Sequence, residues 1–228
     1  LDLNNFVKID LSNIQSLQEK IAKVFSQKGM ASIECQDILS QVQTLSGTKL
    51  YALLKPYIAL TNQLALRFEK EIYDLEIDGD ANLVAPEKIK PFIKSLMHVF
   101  RNSIDHGIEF PETRFELGKD EKGTLLCKFE QVGNTLKIII SDDGMGIDIE
   151  KIKEKLESQN RDTTKLTHEE FYNFIFENEF STKESVTDIS GRGVGMSAVK
   201  VELDKLGGEV EIKSKKDVGT SFVFVLPL

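Results

Sequence analysis

Apolar positions recur along this chain in two rhythms, one helical and one alternating, and their order sketches the fold. Over residues 11–46, Ile14, Leu17, Ile21 and Val24, then Ile38, Val42 and Leu45, keep helical spacing around a break at Gly29, which predicts a helical hairpin. Two helices alone bury little, so their narrow stripes pack either against a partner copy or against the rest of the chain. After Gly47-Thr48, the apolar set Leu50, Leu53, Leu54, Tyr57, Leu64 and Phe68 predicts a helix to about residue 71, with Pro56 in its first turn or at a kink. Residues 72–77 alternate like a strand, Asp78-Gly79-Asp80 closes it in a turn, and Pro86 opens the next helix.

That next helix divides its faces. Ile89, Phe92, Ile93, Leu96, Val99, Phe100 and Ile104 cover one side, whereas His98, Asn102, Asp105 and His106 fall within one quadrant opposite, at about 100° per residue. Past Gly107, residues 123–132 and 135–141 read as strands joined at Gly133-Asn134, a short-hairpin signal. Helices follow at 149–158 and 167–176, then a polar loop at 177–190, a helix at 193–206 stopped by Gly207-Gly208, and a closing hairpin of residues 209–213 and 220–226. The sum predicts an α+β sandwich, a mixed or antiparallel sheet with helices on one face, as a domain over 48–228 behind a hairpin segment over 1–47.

Composition narrows the functions open to this fold. At 228 residues and 40% hydrophobic the chain can build a packed core, and a formal charge of −8 argues against nucleic acid as a partner. An anionic ligand then has to be held by local positive charge and backbone amides. Cys35 and Cys127 stand in dissimilar contexts, so neither a disulfide framework nor a thiolate metal site is expected. No run reaches the roughly 18–20 apolar residues of a membrane span, and no stretch reads as a secretory leader, which makes the cytoplasm the expected location. The start at Leu1 rather than methionine reads as a piece of something longer.

Three clusters carry candidate chemistry. An exposed polar helix face is ordinarily solvated surface, but Asn102 offers a hard, neutral amide oxygen that can complete a magnesium octahedron alongside phosphates and water, with Asp105 or His106 in support. Asp142 ends an apolar strand inside Ser141-Asp142-Asp143-Gly144-Met145-Gly146-Ile147. Its carboxylate there can accept the exocyclic amine of adenine, with Gly144 and Gly146 letting backbone approach the ligand; a simple turn is the alternative reading. Gly191, Gly193 and Gly195 precede a helix whose free amides suit a di- or triphosphate, with Arg192, Lys183 and Lys151 as sources of positive charge. Thr220, opening the last strand, can add a hydroxyl on the base.

The order of these elements resembles the ATP-binding fold shared by gyrase, chaperone, histidine-kinase and mismatch-repair ATPases, a Bergerat-type α/β sandwich. The segments HVFRNSIDHGIE, SDDGMGID, FIFENEFST, GRGVGM and GGEVEIKSKKDVGTSFVFVLPL look like the ATP-binding domain of the CheA-type chemotaxis histidine kinases, over about residues 50–228. The resemblance implies ATP and Mg2+ as cofactors, Asn102 as magnesium ligand, Asp142 as adenine reader with Thr220 as helper, and His98, His106 and Lys151 near the phosphates. It further implies a lid whose phenylalanine box spans residues 176–182, and a triphosphate held by Gly191, Gly193, Val194 and Gly195.

The hydrolytic cousins carry a water-activating Glu four residues before the Asn; this chain has His98, which suits phosphoryl transfer to an imidazole. Asn178-Glu179 stand where the family's lid has Pro-Gly, and Ser197 where Asp is common. The three histidines His98, His106 and His168 all lie outside the N-terminal hairpin. The acceptor is therefore expected on a separate histidine-phosphotransfer domain, with a response regulator further downstream, the hairpin making a homodimer, and the family's C-terminal coupling domain absent after Leu228. The expected function is the ATP-binding core of a two-component histidine kinase, with a nucleotide-driven ATPase or a catalytically degenerate scaffold as alternatives.

Overall fold

A computed structural model describes residues 16, 20, 21, 23, 47–177 and 195–228. Of the hairpin expected over the first 46 residues, Ser16, Lys20, Ile21 and Lys23 are described and helical; the pairing of its two helices falls outside the described residues. So do residues 178–194, which carry most of the expected lid and Gly191, Gly193 and Val194.

The four long strands form where alternation predicts them, whereas the strand expected over 72–77 is cut to Glu76–Asp78, which takes in Asp78 of the expected turn, with an isolated bridge at Ile72. Strand β4 (Leu125–Val132) pairs antiparallel with β5 (Thr135–Asp142), β5 with β7 (Gly219–Pro227), and β7 with β6 (Glu209–Lys215), while the short β2 (Glu76–Asp78) adds parallel to β4. The order β2-β4-β5-β7-β6 makes the sheet mixed. A second, two-residue pairing of β1 (Thr48–Lys49) with β3 (Val84–Ala85) was not visible in the sequence pattern. Within β5 the inward set Leu136, Ile138 and Ile140 is buried, and Leu125, Cys127 and Phe129 on β4 and Phe222, Phe224 and Leu226 on β7 share its core. Burial pushes the Cys127 thiol up to about 12, so it stays an inert apolar filler.

Helices cover that face. Pro56 breaks the expected long helix into α1 (Leu50–Leu54) and α2 (Pro56–Arg67), because its ring is accommodated only in a first turn. After a 3-10 turn at Glu87–Ile89 come α3 (Lys90–Ser95) and α4 (Met97–Asn102); the Ser95 hydroxyl donates back to the Phe92 carbonyl at 2.7 Å at the joint. A short helix α5 (Pro111–Glu116), absent from the periodicity, precedes β4. Helices α6 (Ile149–Ser158) and α7 (His168–Asn173) follow β5, and α8 (Met196–Lys205) precedes β6. Phe92 of α3 meets Phe224 edge-on at 5.3 Å, and Tyr57 of α2 packs on Phe100 of α4 at 4.8 Å while its hydroxyl donates to the Ile93 carbonyl.

Because Phe224 joins β7 to α3, Phe224→Ala is expected to destabilise the protein by about 3–5 kcal/mol in denaturant unfolding. Phe115→Ala, at a residue 71% exposed on α5, is expected to change stability by no more than about 0.5 kcal/mol in the same measurement.

Candidate functional site

Strand register assembles the centre of the site. Asp142, last on β5, lies opposite Thr220, second on β7, so two residues 78 apart in sequence face one another. The Asp142 carboxyl is buried, and its Oδ1 accepts the backbone N–H of Gly144 at 3.1 Å and of Thr220 at 3.3 Å. Oδ2 receives no hydrogen bond of full geometry from the described residues and keeps its acceptor capacity. Burial pushes the carboxyl up to about 6, against the opposing pull of the Ser103 hydroxyl and of those two amides. Ser103 Oγ is itself buried and reaches no partner in full hydrogen-bond geometry. The carboxylate thus stands beside a polar atom available to a ligand.

The glycines around it also pack backbone on backbone. A side chain at Gly144 would collide with the Gly107 carbonyl, and one at Gly219, at φ +138°, with the carbonyl of Asp142. Gly146, at φ +74°, abuts the Lys215 carbonyl. These residues bring backbone against backbone. The Met145 N–H donates to the Gly107 carbonyl at 2.8 Å, which ties the loop after β5 to the end of the helix that carries Asn102.

That helix end departs from the expected stripe. After α4 the backbone widens into a π turn, Ser103–Gly107, closed by the Ile108 N–H on the Ser103 carbonyl at 2.7 Å. The 100° spacing no longer holds there, and the quadrant is split: the Asp105 side chain is 11% exposed and that of His106 44%, with His106 Nε2 3.7 Å from Asp105 Oδ2. Asn102 is half-buried, and its side-chain amide makes no hydrogen bond among the described residues. His98, one helical turn earlier, is half-buried as well; burial, with the Arg101 charge in addition, holds its imidazole below the usual histidine range.

The remaining expected residues are more scattered. Lys151 is exposed in the first turn of α6, where its backbone N–H caps onto Asp148 Oδ1 at 3.3 Å. Gly195 is the N-cap of α8, and a Cβ there would meet no atom of the described residues within 4 Å. Phe176 is buried and meets Phe222 edge-on at 6.5 Å, which anchors the start of the expected phenylalanine box.

Several residues that hold the site escaped the sequence. Ser214 Oγ accepts the Ile147 N–H at 2.8 Å and lies 3.1 Å from Thr220 Oγ1, and the Tyr172 hydroxyl donates to the Ser214 carbonyl at 3.2 Å. Beside them, Arg114 is fully buried and, with Glu109 and Lys119, grips the backbone after Asp142. Only the acid-base-lysine spacing around Pro111 could have hinted at it.

With this geometry in place, comparison with known proteins is specific. Residues 93–228 match the model of the "Histidine kinase-, DNA gyrase B-, and HSP90-like ATPase" family. The chain is 36% identical to the chemotaxis protein CheA of Salmonella typhimurium over 88% of its own length and 30% of that protein. To CheA of Bacillus subtilis it is 37% identical, over 84% of this chain and 29% of that one, so it spans roughly a third of the curated relatives it matches. Among solved structures, a catalytic domain of the histidine kinase ThkA superposes with a TM-score of 0.51 at 17% identity, covering 78% of this chain and 94% of that one, which shows a shared fold.

The buried carboxyl makes stability depend on pH. Its folded-state pKa of about 6 exceeds the ordinary 3.8, so the folded protein binds the extra proton, and the contribution is fully present below the ordinary value and lost as pH rises through about 6. Asp142→Asn removes this dependence. Relative to the wild type, the variant is expected to gain roughly 2 kcal/mol of unfolding free energy between pH 4 and pH 7, read as the difference between paired denaturant curves. A constant difference across that range would contradict the assignment.

Proposed function

We propose, because the chain belongs to the histidine kinase-, DNA gyrase B- and HSP90-like ATPase family and carries a CheA-type ATPase domain, that it binds Mg2+-ATP and transfers the γ-phosphoryl group to a histidine on a separate phosphotransfer domain. Asp142 Oδ2 accepts the exocyclic amine of adenine while Oδ1 is occupied by the Gly144 and Thr220 amides. Guanine would set its carbonyl against that carboxylate, acceptor facing acceptor, and is disfavoured on that ground. The phosphates run towards the N-terminus of α8 and the Asn102 face, where helix amides and Lys151 supply positive potential.

The residues fit magnesium bound jointly with substrate. Asn102 presents a half-buried amide that no described residue engages, and no cluster of three His, Cys, Asp or Glu suited to a metal occurs among the described residues. Asn102 would therefore hold the ion in company with phosphate oxygens and water. When bound, the ion supplies neutralisation of the phosphate charge that develops during transfer.

The observation that carries the choice of transfer over hydrolysis is His98. A side chain one turn before Asn102 is an imidazole, and its lowered pKa keeps it neutral near pH 7. Neutral imidazole can accept the N–H of an incoming acceptor imidazole and orient it, the role that transfer to a histidine requires. The site would contribute mainly positioning and charge neutralisation to an in-line displacement. The acceptor domain, a response regulator served through it, homodimerisation through the N-terminal segment and a cytoplasmic location complete the proposal; no helix among the described residues is long and apolar enough to cross a membrane.

Incubation with Mg2+ and γ-labelled ATP, with and without a histidine-phosphotransfer domain, tests it. Acid-labile label on the added domain is the expected result. Phosphate release alone identifies an ATPase, and nucleotide binding with neither signal identifies a scaffold. Asn102→Ala is expected to slow transfer at least ~100-fold, as loss of one transition-state contact does.

A further inference from the structure

The segment after the π turn carries three buried or half-buried charges, Glu109, Arg114 and Lys119, that meet a fourth, Asp143 after β5, and the proposed reaction uses none of them. Arg114 donates all five of its N–H groups: Nε to the Asp120 carbonyl (2.6 Å), Nη1 to Glu109 Oε2 (3.0 Å) and the Asp143 carbonyl (3.3 Å), Nη2 to Asp143 Oδ2 (2.8 Å) and the Lys122 carbonyl (3.3 Å). Lys119 Nζ donates to Glu109 Oε1 (2.7 Å) and to the carbonyls of Asp143 and Gly144 (2.8 Å each). Glu109 gives one oxygen to each cation, and Asp143 Oδ1 accepts the Thr124 N–H at 2.8 Å. Two positive and two negative charges close on themselves.

One peptide connects this network to the adenine end of the site. The carbonyl of Asp143, gripped by both cations, belongs to the same peptide unit as the Gly144 N–H, and that N–H donates to Asp142 Oδ1. Two cationic donors on the oxygen fix the peptide plane and draw electron density from its nitrogen, which strengthens the N–H as a donor. The next carbonyl, of Gly144, is held by the same ammonium. Stability alone is a weak reason to bury four charges here, since such networks are often matched by apolar packing.

We infer that Lys119 and Arg114 are positioning residues for nucleotide binding, orienting the Asp142 carboxylate through the Asp143–Gly144 peptide, with Glu109 holding the two cations in register. This rests on the reading of Asp142 as the adenine acceptor. The charged and titratable groups on the elements packed around Asp142 are Asp143 beside it, this clamp, Asp105 and His106 on the π turn, and Lys215 next to Gly146. The Gly144 amide holds the Asp142 pKa down. Loosening that amide raises it, so protonation of the acceptor sets in at higher pH.

The test is calorimetric titration of the full chain with ADP from pH 5.5 to 8, for the wild type, Lys119→Met, Lys119→Arg and Asp142→Asn, each checked as folded by its melting curve. Lys119→Met is expected to weaken ADP binding ~10-fold at pH 7 and to move the pH midpoint of binding upward, with substantial recovery in Lys119→Arg. A folded Lys119→Met that melts earlier yet binds ADP within about twofold of wild type, with an unmoved midpoint, overturns the inference alone. If that variant does not fold, Lys119→Gln, which retains a donor, is read by the same two criteria. Wild type that does not bind ADP, or Asp142→Asn that binds it normally, overturns the adenine-site reading and the inference with it.

Discussion

The burial of one carboxylate, Asp142 at the end of β5, is the constraint around which the functional half of the molecule is arranged. A carboxyl so placed needs backbone amides close by, and amides come close only where side chains are absent. Gly107, Gly144 and Gly219 arrive from three separate segments and leave that room: a Cβ on Gly107 would stand 3.3 Å from Asp142 Oδ1, and those on the other two would strike backbone carbonyls. The spacing of glycines in the loop after β5 is therefore a record of chain packed on chain. A ligand amine arriving at Oδ2 meets an oxygen whose twin is already committed, so orientation is settled before binding. The roughly 3 kcal/mol that the buried charge costs near neutral pH is typical of sites where function and stability pull apart.

Much of this was legible because periodicity reports burial. The alternating runs of β4, β5 and β7 and the apolar face of α3 and α4 follow directly from which side chains meet the core, and Asp142 and Thr220 were readable as strand-terminal polar residues. The π turn was not, since a 100° step assumes the very geometry that Ser103–Gly107 abandons, and Asp105 and His106 differ in exposure while staying in contact with one another. Helix α5 is six residues long, too short to show a period. Glu109, Arg114 and Lys119 looked like ordinary surface charges because nothing local in sequence marks their partner, Asp143, which lies 29 residues beyond Arg114. Ser214 likewise meets Ile147 and Tyr172 across 67 and 42 residues, although its contact with Thr220 spans only six.

The clamp also bears on where phosphate charge can be met. A net charge of −8 leaves little positive field to draw on. The two cations nearest the adenine end direct every N–H they have to carbonyls and carboxylates of their own chain, so neither is available to a phosphate. Among the described residues, positive potential along the proposed phosphate path then falls to the amides at the start of α8 and to the exposed Lys151. Fixed amide dipoles need no reorganisation when negative charge shifts onto the bridging oxygen of the leaving diphosphate during transfer, which a mobile surface lysine does. On the proposed reading, such a site would hold adenine through rigid, specific contacts and meet the reacting end with preorganised dipoles, an arrangement suited to handing the γ-phosphoryl group to a second protein domain, which must approach and leave, and less to trapping a water molecule beside it.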